Sequence, residues 1–410
     1  MAVILRRLYQ KVSYLNMQLI AGENGLDNLV RWIHPVESRE VVPFVEEGEV
    51  VFTTGLGLTE DFDLLKLVKG VEKRGAAGIV LNTGPYIGTI DSEITEFADQ
   101  KKFPVFQVPW QVHMPEIIKI FSFDILREEQ NNMELVSAVK NAVFCHDREE
   151  SYVGTFMQYS YMPEWNYCTA LLEILQNNMD VTAQRLEQLF FKLERHVLHL
   201  YKNTILFIQD KRIFLLMCNY TAEMEDALFD ELGAYIQTIL SRQEQCFFSA
   251  GKTTRSVRCI YKSYEQAEKI AALIRHGSLD IVRNTGNCRM LQYQKLGIYK
   301  LLLAVHDREI IEDYIRDTVG PLYDYDSAND SDIAVTLRCY ISHSGSVKDT
   351  AEELYIHRNT VNYKIKKAEE ILGCSLQSLD SRTKINIGFM LYNIHTVYDS
   401  YHKGLESSEL

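Results

Sequence analysis

The chain has 410 residues, 46% of them hydrophobic and 24% charged, with a formal net charge of -13. This length exceeds one ordinary domain and predicts about two to four, while the composition excludes a disordered or fibrous chain. The acidic balance also excludes a protein that engages nucleic acid over its whole surface, so any such surface must be local.

The N-terminal segment MAVILRRLYQKV places four apolar residues after Met1 and ahead of an arginine pair, the wrong order and too short for a signal peptide. No later run reaches the roughly 18 to 20 apolar residues needed to cross a bilayer, so a cytoplasmic protein is expected. The eight cysteines are scattered without a C-x-x-C pair. This predicts neither a disulfide framework nor a metal centre, and no cofactor motif accompanies them.

From residue 50 to 128, short β-rich runs alternate with helical ones. Val50 to Gly55, Gly78 to Gly84 and Pro104 to Pro109 read as strands, separated by helical stretches at 60–74 and 91–102 and followed by a helix from Pro115. Three such repeats predict a largely parallel sheet. Thr53, Thr54, Gly55, Thr83 and Gly84 fall just after two of the strands, where open α/β sheets place ligands. Glycines that merely turn the chain at strand ends account for the pattern equally well. Residues 128–164 read as linker helices without a sustained heptad.

A strand at 167–174, a helix at 181–201, a hairpin of 204–208 with 212–217, a helix at 222–242, a strand at 246–250 and a helix at 256–275 follow. That order predicts a ferredoxin-like or nucleotide-cyclase-like α+β domain over 165–323. The acidic segment 324–332 reads as a hinge with nothing to bury.

Beyond it, Ile333 to Ser342 forms a first helix, and Ser346 caps a second that carries Ala351 and Leu354. A third runs from about 358 to 372 and stops at Gly373. On this third helix Val361, Ile365, Ala368 and Leu372 form one apolar stripe. The opposite face carries Asn359, Asn362, Tyr363 and Lys366, with His357, Arg358 and Thr360 at the leading end and Lys364 and Lys367 on the edges. Two short helices joined by a tight turn define a helix-turn-helix. Asparagine pairs with adenine, arginine with guanine and lysine with phosphate, so this face is expected to bind double-stranded DNA.

The run from Ala351 through Glu, Glu, Leu, Tyr, Ile, His, Arg, Asn, Thr, Val, Asn, Tyr and Lys to Ile365 resembles the signature of the PucR family, and the likeness continues through Gly373, Leu376 and Arg382 into the helix at 381–396. Lys364 stands where arginine is more usual. Ala21-Gly22, Gly25-Leu26, Val30-Arg31-Trp32, Glu37 and Glu49 to Gly55 resemble the family's N-terminal domain, and Tyr264 to Ala267 its degenerate GGDEF-like middle domain. The hairpin reads Ile208 to Arg212 without a Gly-Gly-Asp-Glu-Phe, so cyclase chemistry is not implied.

The resemblance implies a multidomain α/β plus α+β chain. It comprises an α/β sensor over 1–127, linker helices over 128–164, a ferredoxin-like, GGDEF-like domain over 165–323, the hinge, and an all-α DNA-binding domain over 333–398. It further implies a metabolite-responsive regulator of catabolic genes, such as those for purine breakdown, acting as a homodimer or higher oligomer. A small-molecule effector is expected near Glu37, Thr53, Thr54, Gly55, Thr83 and Gly84. A DNA-anchored scaffold without a ligand is the alternative. An enzyme is less well supported, because the chain lacks a G-x-S-x-G elbow and an H-E-x-x-H helix, and no catalytic residues are assigned.

Overall fold

A computed structural model of the chain describes residues 3–59, 62–276, 281–305 and 307–406. Its N-terminal third is built on five strands: β1 (Gln18–Ala21), β2 (Trp32–Pro35), β3 (Glu49–Thr53), β4 (Gly78–Thr83) and β5 (Val105–Pro109). The spatial order is β1-β5-β4-β3-β2, with β2 to β5 mutually parallel and β1 antiparallel at the edge. The largely parallel sheet is therefore present.

Its central strands are apolar without alternation because both faces are covered. Val50 and Phe52 point to one core with α1 (Leu5–Val12) and the start of α4 (Met114–Phe144). Val51 points to the other, with α2 (Leu64–Lys73) and α3 (Ser92–Lys101). Helix α2 begins where it does because the Asp63 side chain accepts the Lys66 N–H at 2.8 Å; Glu60 and Asp61, read as the start of this helix, lie outside the described residues.

The expected domain division at residue 127 falls inside α4, which is 31 residues long. Ile117, Phe121 and Ile125 belong to the N-terminal core, and Leu135, Ala138, Val139, Ala142 and Val143 to a core of the middle region. The segment read as a linker is thus a packed element at both ends. After α4 and the short α5 (Val153–Gln158) comes the middle sheet.

That sheet contains β6 (Tyr167–Gln176), β7 (Thr204–Gln209), β8 (Arg212–Cys218), β9 (Glu244–Ala250), β10 (Arg283–Thr285) and β11 (Cys288–Gln292) in the order β7-β8-β6-β9-β11-β10, with Met179–Asp180 pairing back onto β6. The β7–β8 hairpin turns on Asp210 and Lys211, at φ 48° and 62°, the pair of positive angles that a two-residue turn needs to follow strand twist. Along β6 the side chains alternate. Cys168, Ala170, Leu172 and Ile174 face α6 (Ala183–Leu200) and α7 (Ala222–Ile239), while Tyr167 and Leu171 face α8 (Ile260–His276) and the second half of α4. The middle region is mixed α/β with helices on both faces.

The last third is helical: α9 (Arg308–Thr318), α10 (Gly320–Asn329), α11 (Ile333–Ser342), α12 (Val347–Glu353), α13 (Arg358–Leu372) and α14 (Leu379–Glu406). The acidic stretch expected to be a hinge is mostly helix α10. Val319 and Leu322 beside it are fully buried, and Tyr323 stacks on Tyr392 with ring centroids 3.9 Å apart. Its acidity has a local use: the Asp326 carboxylate accepts the Ile333 and Ala334 N–H groups at 2.9 and 2.8 Å and the Ser331 hydroxyl at 2.6 Å, capping α11. No described helix is long and apolar enough to cross a membrane.

Candidate nucleic-acid interface

Helices α11, α12 and α13 enclose one small core, in which Leu337, Val361 and Ala368 are fully buried and Ala351 and Ile365 nearly so. Leu372 and Ile356 pack partly against it. The small Ala351 keeps α12 close to α13. Ser346 caps α12 by accepting the Asp349 N–H at 3.3 Å. The helix then ends on Tyr355 in the left-handed region, at φ 53°, with the Ile356 N–H returning to the Ala351 carbonyl at 3.1 Å. This closure redirects the chain into α13 within four residues. Gly373, at φ 61°, terminates α13 in the same way.

His357, Arg358, Asn359 and Thr360 are exposed at the leading end of α13, and Asn362, Tyr363 and Lys366 are exposed on the face opposite its apolar stripe. His357 is also structural: its Nδ1 accepts the Asn359 N–H at 3.2 Å as the helix cap. The first turn of α13 has no acidic residue. Its helix dipole and the Arg358 charge therefore face outward as a combined positive site, the arrangement that favours phosphate.

Two lysines behave differently from expectation. The Lys364 ammonium is drawn onto Asp332 at the start of α11, leaving its side chain only 16% exposed. Lys367 lies 3.2 Å from Glu370 and over the Tyr325 ring at 5.5 Å. Both turn inward because carboxylates stand within reach on their own domain, so Arg358 and Lys366 are the cations that this face presents. Two exposed residues escape the sequence reading. They are Tyr355, 95% exposed in the turn, and Lys348, exposed at the start of α12. A bulky aromatic with no core to enter is the signal that marks Tyr355.

At the carboxyl end of the N-terminal sheet, Glu37, Thr53, Thr54 and Gly55 do meet. The Glu37 carboxylate accepts the Thr54 N–H and the Thr54 hydroxyl at 2.9 Å each, the Leu56 N–H at 3.3 Å and the Thr53 hydroxyl at 3.3 Å. The Gly55 N–H donates to the Thr53 hydroxyl at 3.1 Å. One strand over, Thr83 accepts from Gln107 at 3.2 Å, and Gly84 sits so close to Trp110 that a Cβ would come within 2.7 Å of it. The groups expected to hold an effector thus satisfy one another and pin the loop after β3. Two cavities of about 460 and 470 Å³ lie elsewhere, between the N-terminal region and α6. The first is lined by Asp27, Asn28, Arg195, His196 and Tyr235. Neither is lined by any of the six expected residues.

The fold and the exposed face of α13 define a helix-turn-helix protein. Comparison with known proteins makes the class specific: residues 8–125 match the purine catabolism regulatory protein-like family and residues 334–391 the PucR C-terminal helix-turn-helix domain. The two matches lie at opposite ends of the chain, with the middle region between them unmatched by either. It is similar to the purine catabolism regulatory protein of Bacillus subtilis (strain 168), with 26% identity over 34% of this chain and 26% of that one. It is likewise similar to the proline-responsive transcriptional activator PutR of the same organism, with 30% identity over 26% of each. A third relative from that organism, the DNA-binding transcriptional activator AdeR, shares 22% identity over 36% of this chain and 34% of its own length. The matched part spans about a quarter of the first two relatives.

Proposed function

We propose that this chain is a cytoplasmic transcriptional regulator, not an enzyme, that binds promoter-region duplex DNA through α13. The observation that carries the reading is the acid-free, exposed leading end of α13, with Arg358 and Asn359 presented beside Asn362, Tyr363 and Lys366 on a helix whose other face is locked into the domain core. In this reading Arg358 and Asn359 read base edges, Lys366 and Lys348 hold phosphates, and Tyr355 packs against the backbone at the groove edge. His357 and Thr360 complete the leading turn. Lys364 and Lys367 support the domain.

The middle region is read as a ferredoxin-like, GGDEF-like domain; the strand order β7-β8-β6-β9 and the packing of α6 and α7 on the same face support this. Its expected span of 165–323, between a sensor and a DNA-binding end, accompanies that reading. A single helix-turn-helix makes few contacts, so a homodimer or higher oligomer on paired half-sites is part of the proposal. A small metabolite is the expected effector. The cavity lined by Asp27, Arg195, His196 and Tyr235 suits it better than the Glu37 and Thr53 cluster, because it offers an open space of about 460 Å³ where two regions meet.

The test is binding of the full-length chain to DNA from upstream of its own and neighbouring genes, measured against random duplex. A preference for the upstream DNA supports the regulator, and equal binding at low and moderate salt contradicts it.

A further inference from the structure

We propose that Cys339, His343 and Glu353 form a site for a borderline-soft divalent metal ion of the zinc type, placed at the corner between the first two helices of the DNA-binding unit. The ligating atoms of the three residues all lie within 4.8 Å of one another. Cys339 and His343 are four apart at the end of α11 and so share a face. Glu353 is the last residue of α12. The tight connection through Ser344 and Gly345, at φ 54° and 88°, folds α12 back so that its end meets that face. There the His343 Nε2 already pairs with a Glu353 carboxylate oxygen.

A tetrahedral zinc ion with bonds of about 2.0 to 2.3 Å sets its ligands roughly 3.3 to 3.8 Å apart. Thiolate and imidazole together select zinc-like ions over magnesium or calcium, which prefer all-oxygen shells. Cys339 is 7% exposed, whereas Glu353 reaches solvent and His343 is half-buried, so an ion has an entry path and water can take the fourth position. On binding, the metal–sulfur bond forms and the thiol proton leaves to solvent, with no change of oxidation state.

No sequence motif announces the site, because Cys-x-x-x-His followed by a glutamate ten residues on matches no zinc spacing; only the helix corner assembles it. The ion would clamp the end of α11 to the end of α12, directly before the turn that aims α13.

The test titrates Co²⁺ and then Zn²⁺ into the full-length, chelator-stripped chain, without DNA, so its outcome is independent of the regulator reading. The expected result is one equivalent of cobalt giving a thiolate-to-metal absorption band that zinc abolishes. Cys339→Ser should remove the band. Glu353→Gln, at an exposed position that leaves folding intact, should weaken affinity at least about tenfold, the lower range found even for partners outside the coordination shell. Absence of the band in the native chain, or an unchanged band in Cys339→Ser, overturns the site. Unchanged affinity in Glu353→Gln overturns the three-residue assignment.

Discussion

At the scale of single residues, burial and pairing separate cations that face outward from those that hold the domain together. Arg358 and Asn359 project from the leading turn of α13, so Arg358→Ala or Asn359→Ala is expected to cost about 1 to 3 kcal/mol on the target site and much less on random duplex. Lys366→Ala should weaken both alike and lower the salt slope by about one unit, as expected for one lost phosphate contact. Lys364→Ala should leave the salt slope unchanged and lower thermal stability by up to about 1 kcal/mol, because it breaks the pair with Asp332. Anisotropy at two salt concentrations and thermal melts check all four variants. The residue types and the face of α13 were legible in the sequence from helical periodicity alone. The inward turn of Lys364 and Lys367 was not, since it depends on Asp332 of another helix and on Glu370 and Tyr325 being in reach.

A different single-residue effect sits in the middle region. Glu225 is buried at the start of α7, where the Thr253 hydroxyl donates to it at 2.8 Å and the Gln294 amide at 3.2 Å. Burial raises its carboxyl from 4.5 to about 7. The folded state therefore binds the proton more tightly than the unfolded state. The stabilisation is complete below about pH 4.5 and is lost as pH rises through about 7. At about 1.36 kcal/mol per unit, the loss is at most roughly 3 kcal/mol. Glu225→Gln should match the native chain near pH 4 and exceed it in stability near pH 8. A constant difference across that range in denaturant titrations would contradict the assignment.

At the scale of elements, the helices whose ends carry sequence punctuation form where the sequence places them. Ser346 opens α12, Gly373 closes α13, and the hairpin turns on Asp210 and Lys211. The acidic segment before α11 shows the limit of that reading. Its charge suggested a solvated hinge, yet Asp326 is an acceptor for the first two N–H groups of α11. Asp326→Ala is expected to cost about 1 to 2 kcal/mol, the scale of a lost helix cap, measured by chemical denaturation of the full chain. A solvated hinge would show almost no change. Helix α4 is the second case: a low-heptad helix reads as a bare connector, and only the tertiary structure shows its two halves buried in two cores.

At the scale of the whole molecule, α4 links the N-terminal region to the middle region, and α14 links the helix-turn-helix unit to it. Ile385 and Phe389 of α14 lie in the core beneath α13, while Ile394 packs with Leu175, Phe247 and Leu273 of the middle region. Through these two helices the packing is continuous from the N-terminal core to α13. Alternating strands and helices made the N-terminal sheet legible. The cavities were not, because Thr53, Thr54 and Glu37 turned out to be one another's partners and the cavities of about 460 and 470 Å³ form where α6 meets the N-terminal region.

The central claim, that α13 reads DNA sequence, is tested most directly by fluorescence anisotropy of the full-length chain on duplex from upstream of its own gene, against random duplex of equal length, at two salt concentrations. Tighter binding to the upstream duplex is predicted at both salts, with the preference reduced in Arg358→Ala. Equal affinity for the two duplexes, unaltered by Arg358→Ala, would contradict it.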